Sequence, residues 1–254
     1  MAALEFSPAE LITVTASRLL KDGKVVFAGV GTPLLASVLA RRTHAPSLTV
    51  VVEGGVIGAE IEAGELPIST NEMRAGRRAF MLPDITDLFL FAQRGFFDYG
   101  FLGGAQIDPY GSVNTSLIGP WERPSVRLPG SGGANDIISH CRQVFLVTVH
   151  EARRFVERLD FVTSPGRLGP GEARARAGLV FGQVTHVVTD LALMTFNPES
   201  GRMRVSALQP GVDLKRVRAM TGFELEGEGE VANLEPPGEK ELRVLRELDP
   251  GARL

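Results

Sequence analysis

A single glutamate followed by two glycines has the sequence setting of a reactive carboxylate. Glu53-Gly54-Gly55 comes directly after residues 48–52, a run rich in β-branched residues that predicts a buried strand. Glycine lacks a Cβ and adopts positive φ, so an acyl group could approach the Glu53 carboxylate closely. Open α/β sheets bind ligands just beyond the carboxyl ends of parallel strands. Glu53 is therefore the candidate catalytic group, and the alternative is a solvated acid in a tight turn.

Two further glycine loops could bind an anion. Gly103-Gly104-Ala105 follows residues 99–102, a predicted strand, and Gly132-Gly133-Ala134 precedes a short predicted helix. Backbone N–H groups in such loops can point at an anion or at the oxyanion of a reaction intermediate. The alternative for both loops is tight turning with no ligand.

The turn Gly29-Val30-Gly31 offers a different chemistry. It follows a predicted strand at residues 24–28 and opens a predicted helix, and Glu53 lies 22 residues beyond Gly31. This spacing is half of a dinucleotide-binding fingerprint, in which the acid would bind a ribose hydroxyl. Leu34 occupies the position of the third glycine, which normally permits close packing of helix and strand. A dinucleotide-binding oxidoreductase is therefore an alternative function.

The elements around these loops predict an α/β fold with an open, mostly parallel sheet and flanking helices. Ser7, Pro8 and Glu10 form a capping-box start for a first helix, which Gly23 would end. Strand, helix and strand then follow within about 30 residues, as in a βαβ unit. Residues 164–182 are rich in Gly, Arg and Pro and predict an exposed excursion. With no repeat and no clean linker, residues 1–254 are expected to form one domain.

Composition restricts the class of protein. Of 254 residues, 44% are apolar and 22% charged, with 27 Lys and Arg against 30 Asp and Glu. This balance argues against nucleic acid or an anionic membrane as a partner. Cys141 is the single cysteine, so an internal disulfide is excluded and the cytoplasm is the expected location. The acidic start lacks the basic residues of a signal peptide, and no apolar run approaches the ~20 residues of a membrane span.

The remaining reactive side chains predict no metal site. The four histidines show no metal-ligand spacing and are interpreted as structural: His44, His140, His150 and His186. Cys141 follows His140 at the end of a predicted helix, where a buried and unreactive thiol is expected.

The residues around Glu53 resemble a family motif. Residues 52–58, with the sequence VEGGVIG, are similar to the glutamate motif of the β-type subunit of family I coenzyme A transferases. That motif has a serine, the glutamate, an asparagine, a glycine, two aliphatic residues and then Gly or Ala. Val52 and Gly54 stand in place of the serine and the asparagine. Stretches similar to the glutaconate CoA-transferase branch follow in order along the chain: residues 103–111, 130–135, 163–166 and 221–223.

This resemblance implies a CoA-transferase fold and covalent chemistry at Glu53. The glutamate would attack an acyl-CoA thioester and pass through a mixed anhydride and an enzyme–CoA thioester, with coenzyme A as a substrate and no permanent cofactor. The residues expected to bind substrate or the oxyanion are Gly31, Gly54, Gly103, Gly104 and Ala105. The residues expected to contact CoA are Gly132, Gly133 and Ala134.

The resemblance also implies a partner. The glycine-rich motif of the α-type subunit is not found in this sequence, so a separate α chain is expected in a heterotetramer or a larger assembly. The substrate would be a small mono- or dicarboxylate. The alternatives are a hydrolase or a decarboxylase with the same fold, reactions that go with loss of the motif glutamate, and a scaffold without activity. Because Glu53 is retained, transfer is favoured.

Overall fold

The structure is a computed structural model that describes residues 5–227 and 231–251. The helices are α1 (Pro8–Arg18), α2 (Thr32–Thr43), α3 (Ile85–Gln93), α4 (Ala134–His140), α5 (Ala173–Arg176), α6 (Leu214–Ala219) and α7 (Glu239–Leu248). The strands are β1 (Val25–Phe27), β2 (Thr49–Val52), β3 (Val56–Ile57), β4 (Tyr99–Leu102), β5 (Gln106–Ile107), β6 (Val113–Asn114), β7 (Leu117–Ile118), β8 (Val126–Arg127), β9 (Gln143–Val147), β10 (Val184–Val188), β11 (Ala192–Phe196), β12 (Met203–Leu208) and β13 (Ala232–Asn233). Within these described ranges, no helix is both long and apolar enough to cross a membrane.

The chain divides into two compact units. The first comprises Met1–Phe101 with Pro236–Leu254, and the second comprises Leu102–Glu235. The chain therefore enters the second unit at the last residue of β4 and returns to the first before α7. One domain over residues 1–254 stays a prediction.

Parallel strands form the centre of the first unit. β1 lies between β2 and β4 and runs parallel to both, with Val26 opposite Val50 on one side and Tyr99 on the other. The β-branched residues of β2 are fully buried from Val50 to Val52, as expected for a strand covered on both faces. The predicted βαβ unit and the α/β class with a mostly parallel sheet are confirmed.

Helices α1, α2 and α7 of the first unit pack against one another. The predicted capping box at α1 is confirmed, because Glu10 N donates to Ser7 Oγ at 3.1 Å and Ser7 N donates to Glu10 Oε2 at 2.8 Å. α1 ends at Arg18, so the prediction that Gly23 ends this helix is wrong. Gly23 instead has φ 67° in the following turn, a conformation that favours glycine. α1 and α2 both contact α7, whose buried face consists of Leu242, Leu245 and Leu248.

The second unit mixes parallel and antiparallel strands. β9 and β10 are parallel, β11 pairs antiparallel with both β10 and β12, and β13 returns parallel to β12. The expected exposed excursion at residues 164–182 is wrong in part. Ser164 and Arg174 are buried, and the Arg174 guanidinium donates to Ile138 O at 3.0 Å. A buried arginine that binds backbone carbonyls thus anchors this glycine-rich segment, which its composition alone suggests is exposed.

A buried histidine joins three segments of the second unit. His150 Nδ1 lies 3.1 Å from Thr189 Oγ1, its Nε2 lies 3.0 Å from Thr221 Oγ1, and its ring stacks on Phe155 with centroids 4.3 Å apart. Burial lowers the pKa of His150 from 6.5 to about 4, since a charged ring would lose its hydration. The expectation that this histidine is structural agrees with these contacts.

This buried ring predicts a loss of stability on acidification. The unfolded chain binds a proton at His150 near pH 6.5, whereas the folded chain binds it only near pH 4, so lowering the pH through this window favours unfolding. The contribution lost between pH 7 and pH 5 is about 2 kcal/mol. Urea unfolding at both pH values measures it. We expect the free energy of unfolding of His150→Gln to depend less on pH by this amount, and an equal pH dependence in the two proteins would contradict the prediction.

Candidate functional site

Glu53 occupies the tip of a hairpin at the carboxyl end of a parallel strand. β2 ends at Val52, and β3 returns antiparallel to it with Val56 opposite Val52, so Glu53-Gly54-Gly55 is the connecting turn. β3 was not predicted from the sequence. The neighbouring strand β1 ends in the turn that contains Gly31. Because carboxyl ends of parallel strands meet at one edge, Glu53 and Gly31 belong to the same edge of the first unit.

The two glycines of the turn are required by other parts of the chain. A Cβ at Gly54 would collide with the carbonyl oxygen of Thr70, and a Cβ at Gly55 would collide with that of Pro83. Gly55 also has φ 91°, where residues with a side chain are strained. The protein's own backbone thus fills the space left by the missing side chains of Gly54 and Gly55. The expectation that these glycines let an acyl group approach Glu53 is therefore wrong for the side of the turn that faces Thr70 and Pro83.

The Glu53 carboxylate itself is not engaged by the protein. Its side chain is half-buried, and no hydrogen bond or ion pair joins it to another residue within 5–227 or 231–251. The arginines of the following segment are paired with other acids: Arg77 Nη1 lies 2.8 Å from Glu65 Oε2, and Arg78 lies 3.5 Å from Glu60. The carboxylate is therefore available to a bound molecule, as a nucleophile or a base requires.

The Gly31 turn has the predicted strand-to-helix geometry. Gly31 is the N-cap of α2 with φ 82° and ψ −145°, and its carbonyl accepts from Leu35 N at 3.0 Å. Leu34, at the position of the missing third glycine, is fully buried in the core. In a dinucleotide-binding turn a glycine at this position lets the helix pack closely on the strand, whereas here a leucine side chain fills that space. This difference weakens the dinucleotide-binding alternative.

The loop after β4 belongs to the second unit and is held by its own contacts. A Cβ at Gly104 would collide with Val113, and Gly104 O accepts from Arg154 Nη1 at 3.0 Å. Ala105 N donates to Asn114 O at 3.0 Å in the hairpin of β5 and β6. Ala105 is thus corrected as an oxyanion donor, because its N–H is already used, and Gly103 and Gly104 are left as candidates.

The loop before α4 is also partly satisfied from within. Ala134 N donates to Ser131 O at 2.9 Å, and Asn135 N lies 3.4 Å from Ser131 Oγ. Gly133 is the N-cap of α4 and is buried, whereas Gly132 is exposed with φ 48°. Of the three residues expected to contact CoA, Ala134 therefore has its N–H occupied.

The other reactive side chains do not gather into a site. Among the residues that the structure describes, no three His, Cys, Asp or Glu side chains are placed to hold a metal ion. Cys141 is fully buried, and this burial raises the pKa of its thiol far above the usual range. His44 Nε2 lies 3.1 Å from Leu20 O, and His186 Nδ1 lies 3.0 Å from Thr185 Oγ1.

A large apolar surface adjoins the Glu53 turn, and the sequence analysis missed it. α3 is mainly apolar, yet only Leu88 and Ala92 of its nine residues are buried. Phe80 is 74% exposed, and Phe80 N donates to Ile57 O at 2.9 Å, so this surface continues onto β3. A helical pattern predicts which side chains share a face, but not whether the same chain covers that face. The exposed large apolar side chains between residues 68 and 96, together called here the apolar surface, are Ile68, Met73, Phe80, Met81, Leu82, Ile85, Leu90 and Phe96.

A family model and the curated relatives both identify this chain as similar to coenzyme A transferases. The family model described as Coenzyme A transferase matches residues 9–220. The chain is 36% identical over 245 residues to the β-type subunit of 3-oxoadipate CoA-transferase from Pseudomonas knackmussii, covering 96% of this chain and 94% of that protein. It is also 36% identical over 254 residues to the β-type subunit of glutaconate CoA-transferase from Acidaminococcus fermentans, covering 95% of this chain and 92% of that protein.

Solved structures agree with this result. The crystal structure of glutaconate coenzyme A-transferase from Acidaminococcus fermentans matches with a TM-score of 0.91 and 33% identity, covering 98% of this chain and 97% of that one. Relatives with other reactions are less similar. A cholesterol ring-cleaving hydrolase IpdB subunit of Rhodococcus jostii is 28% identical, and a chain of the decarboxylase AibA/AibB is 26% identical with a TM-score of 0.81. The resemblance stated from the motifs is confirmed, and the chain belongs to the coenzyme A transferase family, as a subunit of the β type.

Proposed function

We propose that this chain is the nucleophile-bearing β subunit of a heteromeric CoA-transferase that acts on a small mono- or dicarboxylate. The observation that carries the proposal is Glu53: a half-buried carboxylate at the carboxyl end of β2, unengaged by any residue within the described ranges, in a turn whose shape two glycines permit. A group that must attack, become acylated and be released again is best left without a competing ion pair.

The first half of the reaction transfers CoA onto the protein. A Glu53 Oε atom attacks the thioester carbonyl carbon. The C–S bond then breaks and CoA leaves as a thiolate, so that the acyl group and Glu53 form a mixed anhydride. The thiolate then attacks the glutamyl Cδ of that anhydride. The bond from Cδ to the bridging oxygen breaks, the original acid leaves as a carboxylate, and Glu53 is left as an enzyme–CoA thioester.

The second half reverses these steps with another acid. The acceptor carboxylate attacks the glutamyl thioester and displaces the CoA thiolate, which attacks the acceptor's acyl carbon and frees Glu53. One thioester is exchanged for another, so no external energy source is needed. A carboxylate suits this cycle because an anhydride is reactive enough for a thiolate to re-form a thioester. A serine ester would be a lower-energy trap.

Each attack creates an oxyanion that needs hydrogen-bond donors. We propose the N–H groups of Gly103 and Gly104 as donors for the substrate oxyanion. Gly31 and the backbone of Gly54 would contribute to substrate binding, since Thr70 O occupies the space beside the Gly54 Cα. Loss of one such donor typically costs ~3–4 kcal/mol of transition-state stabilisation. The loop of Gly132 and Gly133 is the proposed CoA contact.

The proposed partner is a CoA-transferase α subunit, in a heterotetramer or a larger assembly. The apolar surface supports this, because large exposed apolar areas mark protein interfaces. Residues 79–92 carry only two charges, Asp84 and Asp87, at the start of α3. The Asp84 carboxylate caps α3 by accepting from Thr86 N at 2.7 Å. Residues 79–83 and 88–92 thus carry no charge that a partner would have to desolvate. The proposed location is the cytoplasm, in keeping with one buried cysteine.

Removing the Glu53 carboxylate tests the chemistry. With the α subunit present, Glu53→Gln should lower the exchange of labelled acid into CoA ester by on the order of 10⁴-fold or more, since the covalent route is lost. Acyl-CoA followed by borohydride should inactivate the wild-type complex by reducing the glutamyl thioester, and mass spectrometry should locate the change at Glu53. Kinetics of exchange and peptide mapping are the measurements.

The matched control is Glu122→Gln, an exposed acid in the second unit, which should keep wild-type exchange and trapping. Normal exchange by Glu53→Gln would exclude the nucleophile. If the wild-type complex consumes acyl-CoA without passing CoA to any added acid, the hydrolase or decarboxylase alternative replaces transfer.

The apolar surface predicts which substitutions separate the two chains of the complex. Leu82→Asp or Ile85→Asp should weaken association with a co-expressed α chain by on the order of 100-fold, because a charge would be buried in an apolar contact. Val180→Asp is the control, as Val180 is 77% exposed and belongs to the second unit, whereas the apolar surface belongs to the first. Sedimentation velocity measures the effect. Equal association of all three variants with the α chain would show that the partner binds elsewhere.

A further inference from the structure

The space beside Gly54 contains a side-chain amide from another segment. If residue 54 had a Cβ, that atom would lie 2.8 Å from Asn71 Oδ1 and would collide with Thr70 O. The similar family motif has an asparagine at this position, and the present chain has glycine. A side chain at residue 54 and the backbone of Thr70 cannot occupy the same space. The chain therefore brings an amide to the Glu53 turn from residue 71 in place of residue 54.

We infer that Asn71 is a further catalytic residue, whose side-chain Nδ2–H binds the glutamyl oxygen of Glu53 during the reaction. This inference rests on the proposed function of Glu53. Asn71 is exposed, and its side-chain amide has no hydrogen-bond partner within the described residues. Because consecutive Cα atoms are about 3.8 Å apart, Asn71 Oδ1 lies no more than about 8 Å from the Cα of Glu53. An extended glutamate side chain reaches about 5 Å from its Cα, and a hydrogen bond of about 3 Å spans the remainder.

The segment around Asn71 is held in place by its own hydrogen bonds. Asn71 N donates to Ser69 Oγ at 3.3 Å, Glu72 N donates to Ser69 O at 3.2 Å, and Ile68 N donates to Glu72 Oε2 at 2.8 Å. The 3-10 helix Met73–Gly76 follows directly and buries Ala75. The backbone of residue 71 is thus fixed beside the turn while its amide stays free to bind, which is the preorganisation that a catalytic donor needs.

The reaction needs a donor at this particular place. The first oxyanion forms on the substrate's acyl carbon, but the second forms on the glutamyl Cδ, when the CoA thiolate attacks the anhydride. The negative charge then lies on the oxygen of Glu53 itself, so its donor must lie beside the Glu53 turn. Asn71 Nδ2–H is such a donor; it shares its proton in a hydrogen bond without giving it up, and the charge returns to the leaving carboxylate when the anhydride bond breaks.

Two substitutions at residue 71 test the inference in the complex with the α subunit. Asn71→Ala removes the amide, and Asn71→Asp keeps its shape but has no N–H donor. In both, we expect the rate of formation of the borohydride-trapped thioester, and kcat, to fall by on the order of 100-fold. KM for acyl-CoA should stay unchanged, since the bond forms only in the transition state. Asn233→Ala, in an exposed part of β13, is the matched control and should behave as wild type.

The outcomes separate this inference from the proposed function. Wild-type rates of thioester formation in Asn71→Ala would overturn the role of Asn71 while leaving Glu53 as the nucleophile. A raised KM with an unchanged kcat would also overturn it, because the amide would then bind the ground state. Lower melting temperatures or weaker association with the α subunit in both variants would assign Asn71 to packing and overturn the catalytic role. Absence of any thioester in the wild-type complex would remove the proposed function first and this inference with it.

Discussion

The close approach of two backbone carbonyls to the Glu53 turn is the constraint on which the site depends. Thr70 O and Pro83 O occupy the positions where side chains at Gly54 and Gly55 would begin. The turn is thereby fixed from two sides by segments distant from it in the sequence, and Glu53 is presented on a rigid hairpin tip. Catalytic groups need such support, because a carboxylate on a mobile backbone would lose the geometry of attack. Gly54 and Gly55 thus contribute by letting the turn pack against Thr70 and Pro83, and this packing is what positions Glu53.

Local signals in the sequence predicted the elements that depend on local physics. The capping box of Ser7 and Glu10 and the strand Tyr99–Leu102 form as predicted. The hairpin strand β3 was missed because two residues between glycines carry no periodic pattern. The burial of Arg174 was missed for a related reason, since its partners are carbonyls whose positions only the fold determines.

The candidate site likewise has residues that the sequence indicates and residues that only the fold reveals. Glu53 could be proposed from the sequence, from its residue type and its place after a buried strand. Ala105 could not be excluded from the sequence, because its N–H is consumed by pairing of the two-residue strands β5 and β6. Asn71 gave no signal, as Ser-Thr-Asn runs are common in loops. Only the three-dimensional fold shows that this loop packs on the glutamate turn.

The proposed assembly and the proposed chemistry would depend on the same surface of this protein. A mixed anhydride is hydrolysed by water, so a transferase must exclude water from its glutamate while CoA is exchanged. In the chain alone Glu53 is only half-buried, and the exposed side chains of Phe80 and Met81 lie on the segment that pairs with β3. A partner that covers the apolar surface would exclude water from these apolar side chains and from Glu53 at the same time. The free energy of association would then come from the same apolar contacts that protect the intermediate, and an isolated β chain would have neither stable cover nor useful transfer.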